Sequence, residues 1–296
     1  MNILVTGGCG VVSRAIARSI RLSKHYSNAR IVAADVCEYW LGLHESLYDT
    51  IYRVSKVEHD AADYNAQIQN ICSLEDIDLA IVTPESEVVF WTRNDLGVPV
   101  SLPPPLFSGI ASHKRKLYEL LRPSGLVPEF RILQRSDLLG PNADHHIAAD
   151  YPLWIRDFSV GSDSGKGALM ARDLEELKAW VILNRNIDEF MVSAYLPGRN
   201  FACCMLFDDG ELLKTSSYER LVYYMGEVAP SGVTGNISRG RLVNEEQVCA
   251  NAETAIKEIT RQTGEKMCGL VTVDLREDRN SVPLITEINI RPVSYT

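Results

Sequence analysis

Seven cysteines occur in this 296-residue chain, at positions 9, 37, 72, 203, 204, 249 and 268, and no two form a C-x-x-C pair. The odd count and missing pair exclude a simple disulfide framework and a paired-cysteine zinc or redox motif. Stretches such as "FACCMLF" use Cys as a small hydrophobe, which suits a reducing, cytoplasmic setting. No apolar run reaches membrane-spanning length, so no membrane partner is expected. A strand pattern starts at Asn2 without a basic segment, apolar run and cleavage site in succession, so no signal peptide is expected. Basic residues are in deficit: the net charge is -9, against the basic excess of a nucleic-acid-binding surface. Local clusters of Arg and Lys can still hold small anions in an acidic protein. Low-complexity tracts and internal repeats are missing too. What remains, 46% hydrophobic and 23% charged, is an ordinary globular composition with room for two or three modules.

The first hundred residues alternate strand and helix. "NILVT" (2–6) reads as a buried strand, Gly7 to Gly10 as a turn, Val11 to Leu22 as a helix and "RIVAADV" (30–36) as a second strand. "DLAIVT" (78–83), a helix from Glu85 to Leu96 and a short "VPVS" (98–101) follow. Strands separated by helices imply a parallel sheet covered on both faces. "LPPPLF" (102–107) breaks regular structure and reads as a linker. Ser112 is placed to cap the helix "HKRKLYELLRPSG", which Pro123 and Gly125 end. A second module begins at "YPLWIRDF" (151–158), with a helix over 173–184 and a strand over 189–196. From Asn200 the pattern is strand-rich, interrupted by a helix from Asn244 to Thr263. The fold class is therefore α/β followed by α+β with an antiparallel sheet.

Three stretches carry chemistry. "VTGGCGVVS" runs from strand through glycines into helix, and Asp35 ends the next strand, the layout of a dinucleotide fingerprint. Ser13 holds the third small-residue position, and the only Tyr-x-x-x-Lys spacing, Tyr52 to Lys56, falls too early for a short-chain dehydrogenase or epimerase. A tight strand-to-helix turn accounts for the glycines better than NAD(P) does. In "RDFSVGSDSGKGAL" (156–169) a strand delivers Arg156 into a loop of small residues. Its backbone amides suit phosphate, although no P-loop Lys-Ser/Thr pair follows, Asp163 opposes an anion, and an ordinary hairpin loop fits equally well. Last, "LITEINIRPV" sets Glu287, Asn289 and Arg291 at every second position, hence on one strand face. Alone, this suits a solvated edge strand. Asp274, near the end of "LVTVDL", gives the polar face a partner, and acids on neighbouring strands suit Mg²⁺.

The order of these features resembles the ATP-grasp ligases, most closely the branch containing the carbamoyl-phosphate synthetase large subunit. The resemblance runs from the leading domain through "SHKRKLYELLRPSGLVP", "YPLWIRDF" with its glycine loop and "MVSAYLPG" to "VD…EINIR". It implies a Rossmann-like leading domain over 1–110, a small ATP-grasp subdomain over 111–195 and a C-terminal subdomain over 196–296 that stops earlier than is usual. It implies that Lys114 and Arg156 contact ATP phosphates. Gly161, Ser162, Ser164, Gly165, Lys166 and Gly167 would belong to a loop closing over them. Ser193, Ala194, Tyr195 and Leu196 would form the hinge that meets adenine, and Asn200 would face the ribose. Asp274, Glu287 and Asn289 would hold Mg²⁺, or Mn²⁺ in its place, and Arg291 and Arg156 would act in catalysis. Arg at 156, where Lys is commoner, also occurs in the carbamoyl-phosphate synthetase branch. The implied activity is ADP-forming ligation of a small carboxylate to an amine or related nucleophile through an acyl phosphate. A homodimer is compatible with it.

The sequence departs from that pattern at Ala194 and Asn200, where acids are usual, and at Asp157, where Pro is usual. These departures favour one alternative, a non-catalytic ATP-binding relative; an NAD(P)-dependent oxidoreductase is the other. His145 and His146 in "NADHHIAAD" read as solvent-exposed loop residues, and Arg239 and Arg241 face an anionic substrate or solvent. "YERLVYYMG" (218–226) lines the acceptor pocket or is core.

Overall fold

Strand β1 (Asn2–Thr6) is buried along four of its five residues, so it needs cover on both faces and a neighbour on each side. In the computed structural model, which describes residues 1–37, 46–157 and 167–293, it has both. The order is β3-β2-β1-β4, with β2 (Arg30–Asp35), β3 (Thr50–Arg53) and β4 (Leu79–Ile81) all parallel. Ile3, Val5 and Ile31 pack with Ala17 of helix α1 (Val11–Leu22). Leu4 and Val32, on the opposite face, meet Tyr64 and Ile68 of α2 (Ala61–Leu74) and Val88 of α3 (Glu85–Trp91). The sequence pattern proposes no element where β3 and α2 form. α2 nevertheless carries a clear start signal, Asp60 accepting from the amide of Asp63.

Several expectations are corrected between 85 and 125. Helix α3 stops at Trp91 instead of Leu96. Asn94 donates to the Phe90 carbonyl and Asp95 accepts from Gly97, local bonds that compete with a helical ladder. "VPVS" is no strand, since Val100 makes a single bridge to Ala80 and Pro99 has no amide to donate. The expected linker contains a helix, α4 (Pro105–Ala111), with Pro105 at its first position. The carboxylate of Glu265 accepts from Leu106 N at 3.0 Å and Phe107 N at 2.7 Å, closing the open end of α4. Glu265→Ala should therefore lower stability by about 1–2 kcal/mol, read as a shifted urea midpoint at constant slope. Ser112 does not cap α5 (Lys114–Leu121); its hydroxyl bonds back to Ser108 O, and His113 is the capping residue. A 3₁₀ turn over Arg122–Ser124 and Gly125, at φ 65°, end the helix as the sequence indicates.

Two antiparallel sheets follow. One has the order β5-β8-β6-β7, with β5 (Phe130–Gln134), β6 (Leu153–Asp157), β7 (Leu169–Ala171) and β8 (Glu189–Ala194). Its core joins Ile155 and Phe190 to Leu138 of α6 (Arg135–Leu139), Ile147 of α7 (Ala143–Ile147) and Leu177 of α8 (Leu174–Leu183). His145 and His146 are exposed as expected, though on α7 and not in a loop.

The other sheet runs β11-β10-β9-β12-β13, from β9 (Asn200–Asp208), β10 (Glu211–Tyr223), β11 (Ile237–Val243), β12 (Gly269–Glu277) and β13 (Pro283–Asn289). Helix α9 (Glu246–Thr263) covers one face with Val248, Ile256 and Ile259, against Cys203, Met205, Val273, Leu275, Ile285 and Ile288. Burying one such Ile or Leu is worth about 1.5–3 kcal/mol, so this face fixes which side α9 covers. The opposite face, with Asp274 and Thr272, looks toward the other antiparallel sheet. Among the described residues, no helix is long and apolar enough to cross a membrane.

Candidate functional site

β13 contains the feature that makes the site. Strict alternation would put Ile285 on the same face as Glu287. A register shift lets Asp274 pair with Glu287 and Leu275 with Ile285, leaving Thr286 as the extra residue. Ile285 thereby joins Ile288 in the core, while Thr286 and Glu287 both line the cleft. Asp274 and Glu287 are directly opposed across an antiparallel pair, so their carboxylates lie on one face.

Like charges opposed in this way repel, and the surroundings show what holds them. Arg220 of β10 donates from Nη2 to Asp274 Oδ1 at 2.5 Å and from Nη1 to Asn200 Oδ1 at 3.1 Å. Its side chain is only 6% exposed. Asp274 pairs with Ala202, which pairs with Tyr218, and the methyl group of Ala202 leaves room for Arg220 to pass diagonally. Lys114, the first residue of α5, brings Nζ to 3.6 Å from Glu287 Oε1. Burial pushes the Glu287 carboxyl up, but Lys114, Arg156, Arg220 and Arg291 together outweigh it and hold the group below its usual range. Burial also raises Asp274; Arg220 opposes this and Glu287 adds to it, leaving Asp274 above the usual carboxylate range. At neutral pH Glu287 is the firmly ionised member of the pair.

Arg156, on β6, is the other notable cation. It is 9% exposed and lines the cleft, and among the described residues no side chain or carbonyl accepts a hydrogen bond from it. A buried guanidinium without an acceptor is costly unless a ligand supplies one. The cleft wall continues through Trp154, through Ser193 and Ala194 at the end of β8, through Tyr195 and Leu196 of the segment joining the two sheets, and through Asn200, Tyr223 and Arg276. The joining segment is clamped at Gly198, where an added Cβ would come within 2.5 Å of Glu277 Cβ.

The remaining predicted residues are placed differently. Asn289 pairs with Thr272, two residues along each strand from the Asp274–Glu287 pair. Arg291 follows the end of β13 and reaches Glu85 of α3 at 3.5 Å, though its charge still acts on both carboxylates. Gly167 adopts φ 72° and its carbonyl accepts from Asp157 N and Trp180 Nε1, which closes a hairpin. Gly161, Ser162, Ser164, Gly165 and Lys166 lie outside the described residues. Arg239 is exposed and Arg241 is paired with Glu219 at 2.7 Å. Among the described residues, no three His, Cys, Asp or Glu side chains converge as a metal site. Two carboxylates do suit a hard divalent cation that takes its other ligands from water and phosphate.

Sequence reasoning missed Arg220 and Arg276. The period-two argument applied to β13 finds Arg276 at once when applied to Asp274. Arg220 needed the register of β10 against β9, which no local pattern reveals.

At the N-terminal glycines, both Asp35 oxygens accept backbone amides, from Cys9 at 2.8 Å and Cys37 at 2.7 Å. An added Cβ at Gly8 would come within 2.6 Å of Ala33 Cβ. The glycines and the acid therefore build the turn itself, as expected of a tight strand-to-helix connection.

Neither a protein-family model nor a curated protein sequence matches the chain. Solved structures do. The D-alanine–D-alanine ligase from Bacillus anthracis aligns over 99% of this chain and 88% of its own, at 17% identity and TM-score 0.61. The L-amino acid ligase from Bacillus licheniformis aligns over 98% and 66%, at 14% identity and TM-score 0.63. The N5-carboxyaminoimidazole synthetase from Staphylococcus aureus, solved with ADP, aligns over 98% and 70%, at 14% identity and TM-score 0.63. The chain shares the fold of these enzymes along nearly its whole length.

Proposed function

We propose that the protein is an ATP-grasp ligase that activates a small carboxylate with ATP and joins it to an amine or related nucleophile, releasing ADP and phosphate. The observation that carries this reading is Arg156, buried in the cleft with no acceptor among the described residues, beside a cross-strand carboxylate pair. A triphosphate would supply the acceptor, and the Asp274 and Glu287 carboxylates would hold a divalent cation that offsets the charge of both sets of anions. The fold likeness to ligases, one of them solved with ADP, supports it. Assignment to the carbamoyl-phosphate synthetase branch is part of the same proposal and rests on Arg at 156.

The chain's own groups have separable tasks. Lys114 and Arg156 neutralise phosphate oxygens, and Arg291 steadies the acyl phosphate. The backbone of Ser193 to Leu196 meets the base, and Asn200 the ribose. Asp274, Glu287 and Asn289 would hold Mg²⁺, which when bound would supply charge neutralisation for phosphoryl transfer. An oxygen of the substrate carboxylate attacks the γ-phosphorus and ADP leaves. The nucleophile then attacks the acyl carbon, loses a proton and expels phosphate. Positioning and electrostatics do most of this, so no protein nucleophile is required. Substrates are small acids and amines, and the compartment is the cytoplasm, where the seven free thiols stay reduced.

One observation favours a second reading, nucleotide binding without turnover: Arg220 already claims one oxygen of Asp274. A screen of ADP release against pools of amino acids and small acids with Mg²⁺ separates the two. Release above the acceptor-free rate is the expected result. Tight ATP binding with no release across the panel would favour the second reading. Thermal protection by NAD(P) but not by ATP with Mg²⁺ would overturn both.

A further inference from the structure

The cleft has two chemically distinct ends. On β6, Trp154 and Arg156 stand two residues apart on one face. On β12, Arg276 and Asp274 do the same, about 7 Å apart along the strand. Arg156 and Asp274 belong to the charged end with Glu287. At the other end the Trp154 and Tyr195 rings lie 6.4 Å apart at 30°, and the Arg276 guanidinium carbon sits 5.3 Å from the Tyr195 ring centre.

Arg276 is the unusual member. Nη2 donates to Tyr195 Oη at 3.3 Å, and among the described residues Nε is buried without an acceptor and no carboxylate pairs with the side chain. Arg199 and Arg220, by contrast, have carboxylate partners, Glu277 and Glu245 for Arg199 and Asp274 for Arg220. The rest of this end is also short of side-chain acceptors. Ala194 has none, and Asn200 Oδ1 is taken by Arg220, leaving its amide as a donor. Aromatic rings beside a donor-rich guanidinium fit a flat base whose edge is all acceptors. Guanine and hypoxanthine present O6 and N7, which a guanidinium meets in pairs, whereas adenine presents a donor at N6.

We propose that Arg276 opens the base end of the cleft to 6-oxopurines, so that the protein binds GTP as well as ATP. This rests on the reading of the cleft as a nucleoside triphosphate site.

Calorimetric titration of the full chain with ATP, GTP and ITP, each with Mg²⁺, tests it. GTP and ITP should bind within about tenfold of ATP or more tightly, and Arg276→Met should weaken both by roughly tenfold more than it weakens ATP. ITP lacks the exocyclic 2-amino group of guanine, so parity between ITP and GTP assigns the effect to the O6 edge. GTP binding far weaker than tenfold below ATP, or equal losses for all three nucleotides in the variant, would overturn the inference and leave the ATP site standing. Binding of none of the three would overturn both. Should Arg276→Met fail to fold, the comparison of the three nucleotides on the unmodified chain decides alone.

Discussion

Glu287→Gln is expected to cut acceptor-dependent ADP release by roughly 100- to 1,000-fold while leaving the protein folded. Glu287 is the ionised member of the pair, held so by four surrounding cations, and its side chain is 33% exposed toward the cleft. Glutamine keeps the shape and one oxygen but removes the charge that a divalent cation needs. Asp274 is a worse position for this test. Its carboxylate is the counter-ion of Arg220, and Asp274→Asn would strand a guanidinium that is 6% exposed, at a cost of several kcal/mol. Two measurements check the Glu287 result: turnover on the best acceptor from the screen, and Mn²⁺ binding by electron paramagnetic resonance beside a non-hydrolysable ATP analogue. Both should fall while the far-ultraviolet circular dichroism spectrum stays unchanged. Turnover equal to the unmodified chain would sink the metal assignment.

Much of the fold was legible because strand and helix periods are local. β1, β2, α1 and α9 lie within two residues of where apolar spacing puts them. The failures have physical causes outside the pattern. α4 begins with proline and owes its N-terminal cap to Glu265, which is 159 residues from Leu106. α3 ends early because Asn94 and Asp95 bond to nearby backbone, a preference that hydrophobic spacing ignores.

The site was legible in the same uneven way. Polar residues at alternate positions mark a strand face, so Asp274, Glu287 and Asn289 could be grouped before any contact was known. The shift at Thr286 could not be read, and without it Ile285 would stand on the polar face. Arg220 and Lys114 belong to elements that reach the acids only after three chain segments fold together. Sequence pattern finds the face, and register decides which charges share it.

The buried carboxyl of Glu87 gives the largest expected pH-dependent effect on stability. It is 4% exposed on α3, where Tyr64 Oη donates to Oε2 at 2.8 Å and Trp91 Nε1 donates to Tyr64 Oη at 3.0 Å. Burial raises it from an ordinary 4.5 to about 7, against the bonds from Thr6 and Tyr64, with Asp35 and Glu58 adding to the rise. Between those two pH values the native state keeps a proton that the unfolded chain has released. The native state binds more protons, so stability falls as pH rises. The contribution is complete below pH 4.5 and is lost as pH climbs through about 7. A shift of this size is worth about 3 kcal/mol. Glu87→Gln keeps an acceptor for Tyr64 and cannot ionise. The variant should therefore gain on the unmodified chain by about 3 kcal/mol between pH 4 and pH 8 and be the more stable of the two at pH 8. Urea unfolding of both proteins across that range checks it, since every other titrating group cancels in the difference. Parallel pH profiles would show that Glu87 ionises in the folded protein as it does in the unfolded chain.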